Sequence, residues 1–150
     1  MLNLLNDNIK NTIIFFYIDD KKVSFESKNI KCKLEVKFEN NIIKLNVNVD
    51  NNIVITEKNP QLLTDNSKDI EILEDKASQY LKELIEKFIN NMKYEYKTDL
   101  LSIKSILYKS NMDAYNKVKD KFYDEYLNNI TYDVKVNSYL ETEGGILKKW

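Results

Sequence analysis

The side chains that could carry acid–base chemistry in this sequence are carboxylates, lysines, tyrosines and hydroxyls. The 150 residues contain no histidine and a single cysteine, Cys32. Without histidine, neither a Ser-His-Asp or Cys-His arrangement nor a histidine-based zinc site can form. One cysteine cannot form an internal disulfide or a thiolate zinc cage. The sequence therefore predicts no metal centre and no cofactor, and it favours a binding or structural module.

Adjacent carboxylates are the remaining candidates for catalysis, at Asp19 with Asp20 and at Glu74 with Asp75. Neighbouring residues on a strand or helix point to different faces, so we expect neither pair to share a substrate. Cys32 lies in an alternating apolar segment, and a buried, inert thiol is the simpler interpretation of it. These residues predict no catalytic site.

The charge balance also excludes some classes of partner. The 23 basic residues, all lysines, face 24 acidic residues, which gives a net charge of -1. Nucleic-acid binding usually requires a concentrated basic face, so we expect no nucleic-acid partner.

The longest apolar run covers residues 13–18, far short of the roughly 20 residues that span a bilayer. The sequence therefore predicts no transmembrane helix.

Alternating apolar residues predict strands in the first half of the chain. Two such runs are separated by Asn40 and Asn41, which tolerate the left-handed backbone of a tight hairpin turn. Residues 13–18 and 23–25 predict a preceding hairpin. The apolar positions of the two later runs are Ile30, Cys32, Leu34, Val36 and Phe38, then Ile43, Leu45, Val47 and Val49. Together these segments predict a sheet with one face in water.

The period of the pattern changes after the loop that contains Pro60. Apolar residues then recur at steps of three and four, which predicts a long amphipathic helix from about Lys68 to Lys97. Asn66 or Ser67 is expected to cap its start.

Two shorter helices are predicted to follow, with Asp99 and Asn111 as their N-caps. We expect the first to begin at Leu100, with the Asp99 carboxylate accepting from the backbone N–H of Leu101 or Ser102.

Alternation returns from Ile130 to Leu140 and predicts a final strand, after which Gly144 and Gly145 are expected to open a flexible tail. The order of strands, three helices and strand predicts an α+β fold. We expect a largely antiparallel sheet with one long and two shorter helices packed on one face and the final strand returning to the sheet. Residues 1–150 are expected to form a single domain.

Tyrosines are concentrated in the second half, where eight of the ten lie between residues 94 and 139. A tyrosine can bury its ring while its hydroxyl stays in water, which suits both a sheet–helix boundary and a protein interface. Boundary packing is the simpler interpretation, and an interface is the functional one. We expect Tyr96 and Tyr123 to be exposed. The candidate partner-binding residues are Tyr94, Tyr96, Tyr115, Phe122, Tyr123 and Tyr126.

The segment that starts with Glu95, Lys97 and Asp99 resembles the Glu-x-Lys-Ser-Asp sequence in the C-terminal domain of the Ger(x)C family, the lipoprotein C subunits of spore germinant receptors. In that family a short helix, a break, a helix with two spaced tryptophans and a valine-rich strand follow. Tyr115 and Phe122 stand at the two tryptophan positions. Ser102-Ile103-Lys104 replaces the family's Gly-aromatic-Gly, and Gly145-Ile146-Leu147 resembles the end of the family's domain.

The resemblance implies a non-enzymatic domain of a membrane-anchored lipoprotein. The full-length protein would act at the outer face of the spore inner membrane, beside the integral-membrane A and B subunits of the receptor. It would help receptor assembly and function through protein–protein contacts. The family's export signal, lipid-carrying cysteine and first two domains are expected to lie outside this chain, which would make it a C-terminal fragment.

An alternative from another class is a small-molecule-binding or hydrolytic α+β domain. Its pocket would lie between the long helix and the sheet, with Glu95 or Asp99 at the mouth. A filled interface between helix and sheet would favour the first interpretation, and a polar pocket of a few hundred Å³ the second.

Overall fold

The computed structural model describes residues 12–18, 21–57, 67–142 and 145–146. The predictions for Asp19 and Asp20, for the loop around Pro60, for the cap at Asn66 and for Gly144 lie outside these residues. Ser67, the other expected cap, is the first residue of the long helix.

Within the described residues, five strands form the sheet: β1 (Thr12–Ile18), β2 (Lys21–Glu39), β3 (Ile42–Glu57), β4 (Thr131–Thr142) and β5 (Gly145–Ile146). They lie side by side in chain order. The β1–β2, β2–β3 and β4–β5 pairs are antiparallel, whereas β3 and β4 are parallel. The predicted α+β class and the return of the final strand to the sheet are therefore confirmed.

The turn between β2 and β3 consists of Asn40 and Asn41, as predicted. Their φ angles are 52° and 63°, and Glu39 pairs with Ile42 on either side of them. Two consecutive residues in the left-handed region form the two-residue turn whose twist matches that of the flanking strands.

β2 runs without a break through the region where the sequence predicted two separate strands. Its register with β3 shifts between Ser24 and Phe25 and again between Ser27 and Asn29. Such bulges insert an extra residue and bend a strand without ending it. Val23 and Phe25 consequently lie in the same core as the rest of the sheet.

One face of the sheet is apolar and the other is in water, as the alternation predicted. Val47 and Val134, which are neighbours in the β3–β4 register, are both buried. Cys32 is half-buried at the edge of the core, not fully buried as expected. The long helix contacts β4 extensively, while β2 contacts one of the short helices, so the inward positions of β2 are less completely covered.

The long helix, α1 (Ser67–Asn90), packs its apolar stripe on this face. It does not continue as an α-helix to Lys97, because residues Asn91–Tyr96 form a π-helix and Lys97 adopts a left-handed conformation. The buried stripe of α1 consists of Leu73, Ala77, Leu81, Ile85 and Ile89.

Two shorter helices follow, α2 (Ile103–Ser110) and α3 (Met112–Val118). The cap at Asn111 is as predicted, since its side-chain oxygen accepts from the backbone N–H of Ala114 at 3.0 Å. α2 begins at Ile103, three residues later than expected, because Ser102 has a left-handed backbone that cannot continue a helix from Leu100.

The outer edge of β4 is covered by side chains of α1. The Glu74 carboxylate accepts from the backbone N–H of Leu140 at 2.9 Å, and the Ser78 hydroxyl oxygen accepts from that of Ser138 at 2.8 Å. An uncovered strand edge invites pairing with another chain, so these contacts protect β4.

The end of the chain differs from the expected flexible exit. Gly145 and Ile146 pair with Thr142 and Glu141 in a short antiparallel ladder. Two residues separate the paired segments, which is the commonest hairpin spacing.

Candidate functional site

The predicted partner-binding residues lie mostly at one corner of the molecule, which we call the aromatic corner. It consists of the π-helix Asn91–Tyr96, a second π-helix Phe122–Tyr126 and the 3-10 turn Leu127–Asn129 that continues it. The first π-helix contacts the 3-10 turn, so both π-helices belong to the same end of the domain. π-helical turns are uncommon and frequently occur at functional sites.

Lys93 fixes the first π-helix to the sheet. Its side chain is buried, and its ammonium donates to the carbonyl oxygen of Ile130 at 2.6 Å. The same nitrogen lies 4.8 Å from the ring centroid of Tyr94 and 5.8 Å from that of Tyr132. Burying a lysine is costly unless its charge meets good acceptors, and the carbonyl and the two ring faces supply them. The corner is therefore held rigidly against the start of β4.

Sequence reasoning missed Lys93. A regular α-helix would place it about 100° from Met92 and away from the core, but the wider turn of the π-helix buries both residues. The change of helix type also explains Tyr96, which would continue the apolar stripe one turn beyond Met92 in an α-helix but is exposed here.

Three of the predicted residues are well exposed. The exposed fractions are 58% for Tyr94, 54% for Tyr96 and 49% for Tyr123. Tyr96 and Tyr123 are the two residues that were expected at the surface. Partner binding by them stays a prediction.

The other three residues are structural to different degrees. Phe122 is completely buried and meets the Tyr123 ring edge-to-face at 5.3 Å, so it supports the surface from beneath. Tyr126 is half-buried against Phe38, with ring centroids 6.0 Å apart, and its hydroxyl donates to Asn41 at 3.1 Å. This contact joins the corner to the hairpin turn.

Tyr115 belongs to a second aromatic pair, beside the junction of α2 and α3. Its half-buried ring meets the exposed ring of Tyr108 at 5.0 Å in a T-shaped arrangement. Tyr108 was not among the predicted residues. The sequence shows only that Tyr108 lies seven residues before Tyr115, on the other side of the break between the helices. Whether the two rings meet depends on the angle of that turn.

Asp99 caps α2 with both carboxylate oxygens. Oδ1 accepts from the backbone N–H of Ile103 at 2.8 Å and Oδ2 from that of Lys104 at 2.9 Å. The predicted acceptance from Leu101 or Ser102 is wrong, because the chain turns between Asp99 and the start of the helix. Ser102, at the N-cap position, makes no side-chain cap hydrogen bond, and the cap is supplied by Asp99, three residues earlier in the chain.

Two lysines lie beside exposed side chains of the second π-helix, Tyr123 and Glu125. The Lys104 ammonium lies 5.2 Å from the centroid of the Tyr123 ring. Lys121 and Glu125 form an ion pair at 2.9 Å, and the hydrogen bond to Glu125 raises the pKa of Lys121. The ion pair is exposed, so it contributes little stability but keeps this side of the corner charged.

Two concavities bear on the small-molecule alternative. One, of about 170 Å³, lies beside α1 and is lined by Tyr17 of β1 and four residues of the helix. The other, of about 560 Å³, lies between the hairpin turn at Asn41 and the second π-helix. Neither is lined by Glu95 or Asp99, and the Asp99 carboxylate is already occupied by two backbone N–H groups.

In the described part of the chain, no helix combines the length and apolar character needed to cross a bilayer.

A family model described as "Spore germination B3/ GerAC like, C-terminal" matches residues 1–144. A solved structure described as the crystal structure of the GerBC protein is similar to this chain with a TM-score of 0.83 and 18% identity. The similarity covers 94% of this chain and 44% of that one, so the chain spans less than half the length of its structural relative. The two share a fold. No curated protein matches the chain by sequence.

Proposed function

Because the chain belongs to the Spore germination B3/GerAC-like, C-terminal family, we propose that it works as the C-terminal domain of a germinant receptor C subunit. In this proposal the domain is not an enzyme and acts through protein–protein contacts that support receptor assembly. The family match over residues 1–144 supports the receptor assignment. The exposed tyrosines of the aromatic corner support the mode of action.

Two of these tyrosines have the features of an interface that is rigid before binding. Tyr94 and Tyr123 each lie against a lysine, at 4.8 Å and 5.2 Å, and Tyr123 also rests on the buried Phe122. Large aromatic side chains held in place lose little conformational entropy on binding, which is why tyrosine is enriched in interface hot spots. A partner surface with apolar pockets and hydroxyl-binding groups would fit them.

The proposal extends to the environment of the longer protein. We place the domain at the outer face of the spore inner membrane, in a lipoprotein that is anchored through a lipid-carrying cysteine upstream of this domain. Its partners would be the integral-membrane A and B subunits. The surface that meets them would include Tyr96 and Tyr123.

The test is the double substitution Tyr96→Ser and Tyr123→Ser. In the isolated domain we expect the melting temperature to change by no more than ~2 °C, because exposed side chains contribute little to stability. In the full-length protein, co-purification of the A and B subunits from spore membranes should fall about tenfold or more, since each hot-spot tyrosine contributes over 1 kcal/mol to binding. Germination should slow accordingly.

Tyr139→Ser is the matched control, because Tyr139 is an exposed tyrosine on β4, outside the aromatic corner. With Tyr139→Ser, co-purification of the A and B subunits and germination of the spores should equal those with the unmodified protein. Normal receptor assembly in the Tyr96/Tyr123 double variant would show that the interface lies elsewhere. Unfolding of the double variant would show that the two tyrosines are structural.

A further inference from the structure

The inner face of the sheet contains a small group of buried polar side chains. Ser27 is 0%, Asn51 1% and Ser138 4% exposed. Both hydroxyls and both polar atoms of the Asn51 amide have no hydrogen-bond partner among the described residues. An unpaired buried polar group costs about 1–3 kcal/mol, so four such atoms together require an explanation.

The strand registers bring these three residues together. Asn51 on β3 is directly beside Ser138 on β4, and both point to the inner face. Ser27 on β2 is beside Ile53, two positions along β3 from Asn51. Neighbouring strands lie about 4.8 Å apart, and diagonal neighbours across an antiparallel pair about 7–8 Å, distances that one bridging molecule can join.

The turn of α1 beside Ser138 contains a small, buried side chain. Glu74 and Ser78 accept from the backbone N–H groups of Leu140 and Ser138, so the helix turn that contains Ala77 lies beside Ser138. Ala77 is buried and is one of the smallest side chains of the core. Short side chains at these positions favour a small ligand that both donates and accepts hydrogen bonds.

We propose that Ser27, Asn51 and Ser138 form an internal binding site for water, in which one ordered molecule bridges the Asn51 amide to at least one serine hydroxyl. Water is both donor and acceptor, so it can satisfy the amide oxygen, the amide N–H and a hydroxyl at once. Proteins contain about one such molecule for every 27 residues, bound by about three hydrogen bonds.

The site also specifies how β3 and β4 pair. Both strands alternate with a period of two, so a shift of two residues would keep the apolar faces aligned. That shift would place Asn51 beside Val136 or Leu140 and separate it from Ser138. Only the observed register gives the buried amide a polar neighbour on β4, so the hydrated group favours it over the shifted ones.

The direct test is a high-resolution crystal structure of the unmodified chain. We expect a water oxygen about 2.7–3.2 Å from the Asn51 amide and from a hydroxyl of Ser27 or Ser138. An Asn51 amide bonded directly to either hydroxyl, with no water between them, would overturn the proposal.

Oxygen-17 relaxation dispersion, which counts long-lived internal waters, tests the site in solution. Asn51→Leu should lower the amplitude by about one water, whereas Asn48→Leu, at an exposed position of the same strand, should leave it unchanged. Ser27→Ala and Ser138→Ala each remove one oxygen and keep the packing, and at least one of them should shorten the residence time of the water. This test does not depend on whether Asn51→Leu folds. Dispersions that equal that of the unmodified chain in both Ser27→Ala and Ser138→Ala would contradict the assignment.

Discussion

Asp99 caps a helix whose first residue lies four positions further along the chain. Both of its oxygens are used, so Asp99→Ala should cost about 1–2 kcal/mol of unfolding free energy, more than an ordinary single-bond cap. Asp99→Asn should recover about half, because its amide offers one acceptor and would direct N–H toward a second N–H. Asp99→Ser should recover little, since its hydroxyl is too short to reach Ile103. Urea denaturation measures these differences, with the exposed Asp120→Ala as control.

An equal loss in Asp99→Asn and Asp99→Ala would show that the negative charge at the helix terminus matters more than the hydrogen bonds. No loss in any variant would show that α2 is held by packing alone.

Ser102 adopts a left-handed backbone, with φ 55°, immediately before α2. This conformation costs a residue with a Cβ about 1 kcal/mol or more, a cost that glycine avoids. Ser102→Gly should therefore stabilise the domain by about 0.5 kcal/mol, after the greater flexibility of glycine in the unfolded chain is subtracted. The midpoint of urea unfolding should rise.

Ser105→Gly provides the opposite expectation in the same helix. Ser105 lies at an exposed position inside α2, where glycine should cost about 0.5 kcal/mol relative to serine. A Ser102→Gly variant that loses as much stability as Ser105→Gly would mean that the Ser102 side chain contributes more than its backbone costs.

Residue type identified Asp99 and Asn111 as caps, because short polar side chains before an apolar run have few other uses. It could not give the partners of Asp99, which depend on the turn at residues 98–102. The burial of Lys93 could not be predicted for a similar reason. A lysine in an amphipathic pattern belongs on the wet side, and only the π-helix places it against Ile130.

The helix α1 covers the inner face of the sheet and also bonds to the outer edge of β4. Glu74 accepts from the backbone N–H of Leu140 on β4. Glu74→Ala would leave this partly buried donor without its partner and should cost about 1 kcal/mol. Amide hydrogen exchange at Leu140 should accelerate more than exchange at Val134, which lies farther from the substitution. Glu74→Gln keeps an acceptor oxygen and should restore most of the protection.

The exposed Asp75→Ala, one residue along the same helix, controls for the loss of a charge near the helix start. Unchanged exchange at Leu140 in Glu74→Ala would mean that water replaces the carboxylate at no cost and that the edge is not clamped.

Alternation and the three-to-four spacing predicted these elements well, because each reports which side of a segment is buried. They do not report which strands are neighbours. The parallel pairing of β3 with β4 and the unbroken course of β2 through its bulges depend on contacts between distant segments, as does the ladder from Gly145 to Thr142. The exposure of Tyr96 and Tyr123 was predictable from crowding, but the contact of Lys104 with the Tyr123 ring was not.

For the whole molecule, β4 is the element that joins the sheet, α1 and the aromatic corner. It pairs along β3, bonds Glu74 and Ser78 of the long helix, and follows directly from Ile130, whose carbonyl accepts from Lys93. Truncation after Asn128 would remove all of these contacts together. The buried apolar side chains of the lost segment contribute roughly 1.5–3 kcal/mol each, and the Lys93 ammonium would be left buried without its acceptor. The buried apolar side chains that would be lost are those of Ile130, Val134 and Leu140.

We therefore expect the chain that ends at Asn128 to lose cooperative unfolding, since a domain of this size has only about 5–15 kcal/mol of net stability. Circular dichroism should show a broad, shallow thermal transition in place of a sharp one. A chain that ends at Ile146, which keeps β4 and β5, should melt sharply and serves as the control. A sharp transition of the shorter chain near the midpoint of the control would show that β1 to β3 and α1 form a self-sufficient core, with β4 added only to carry the aromatic corner.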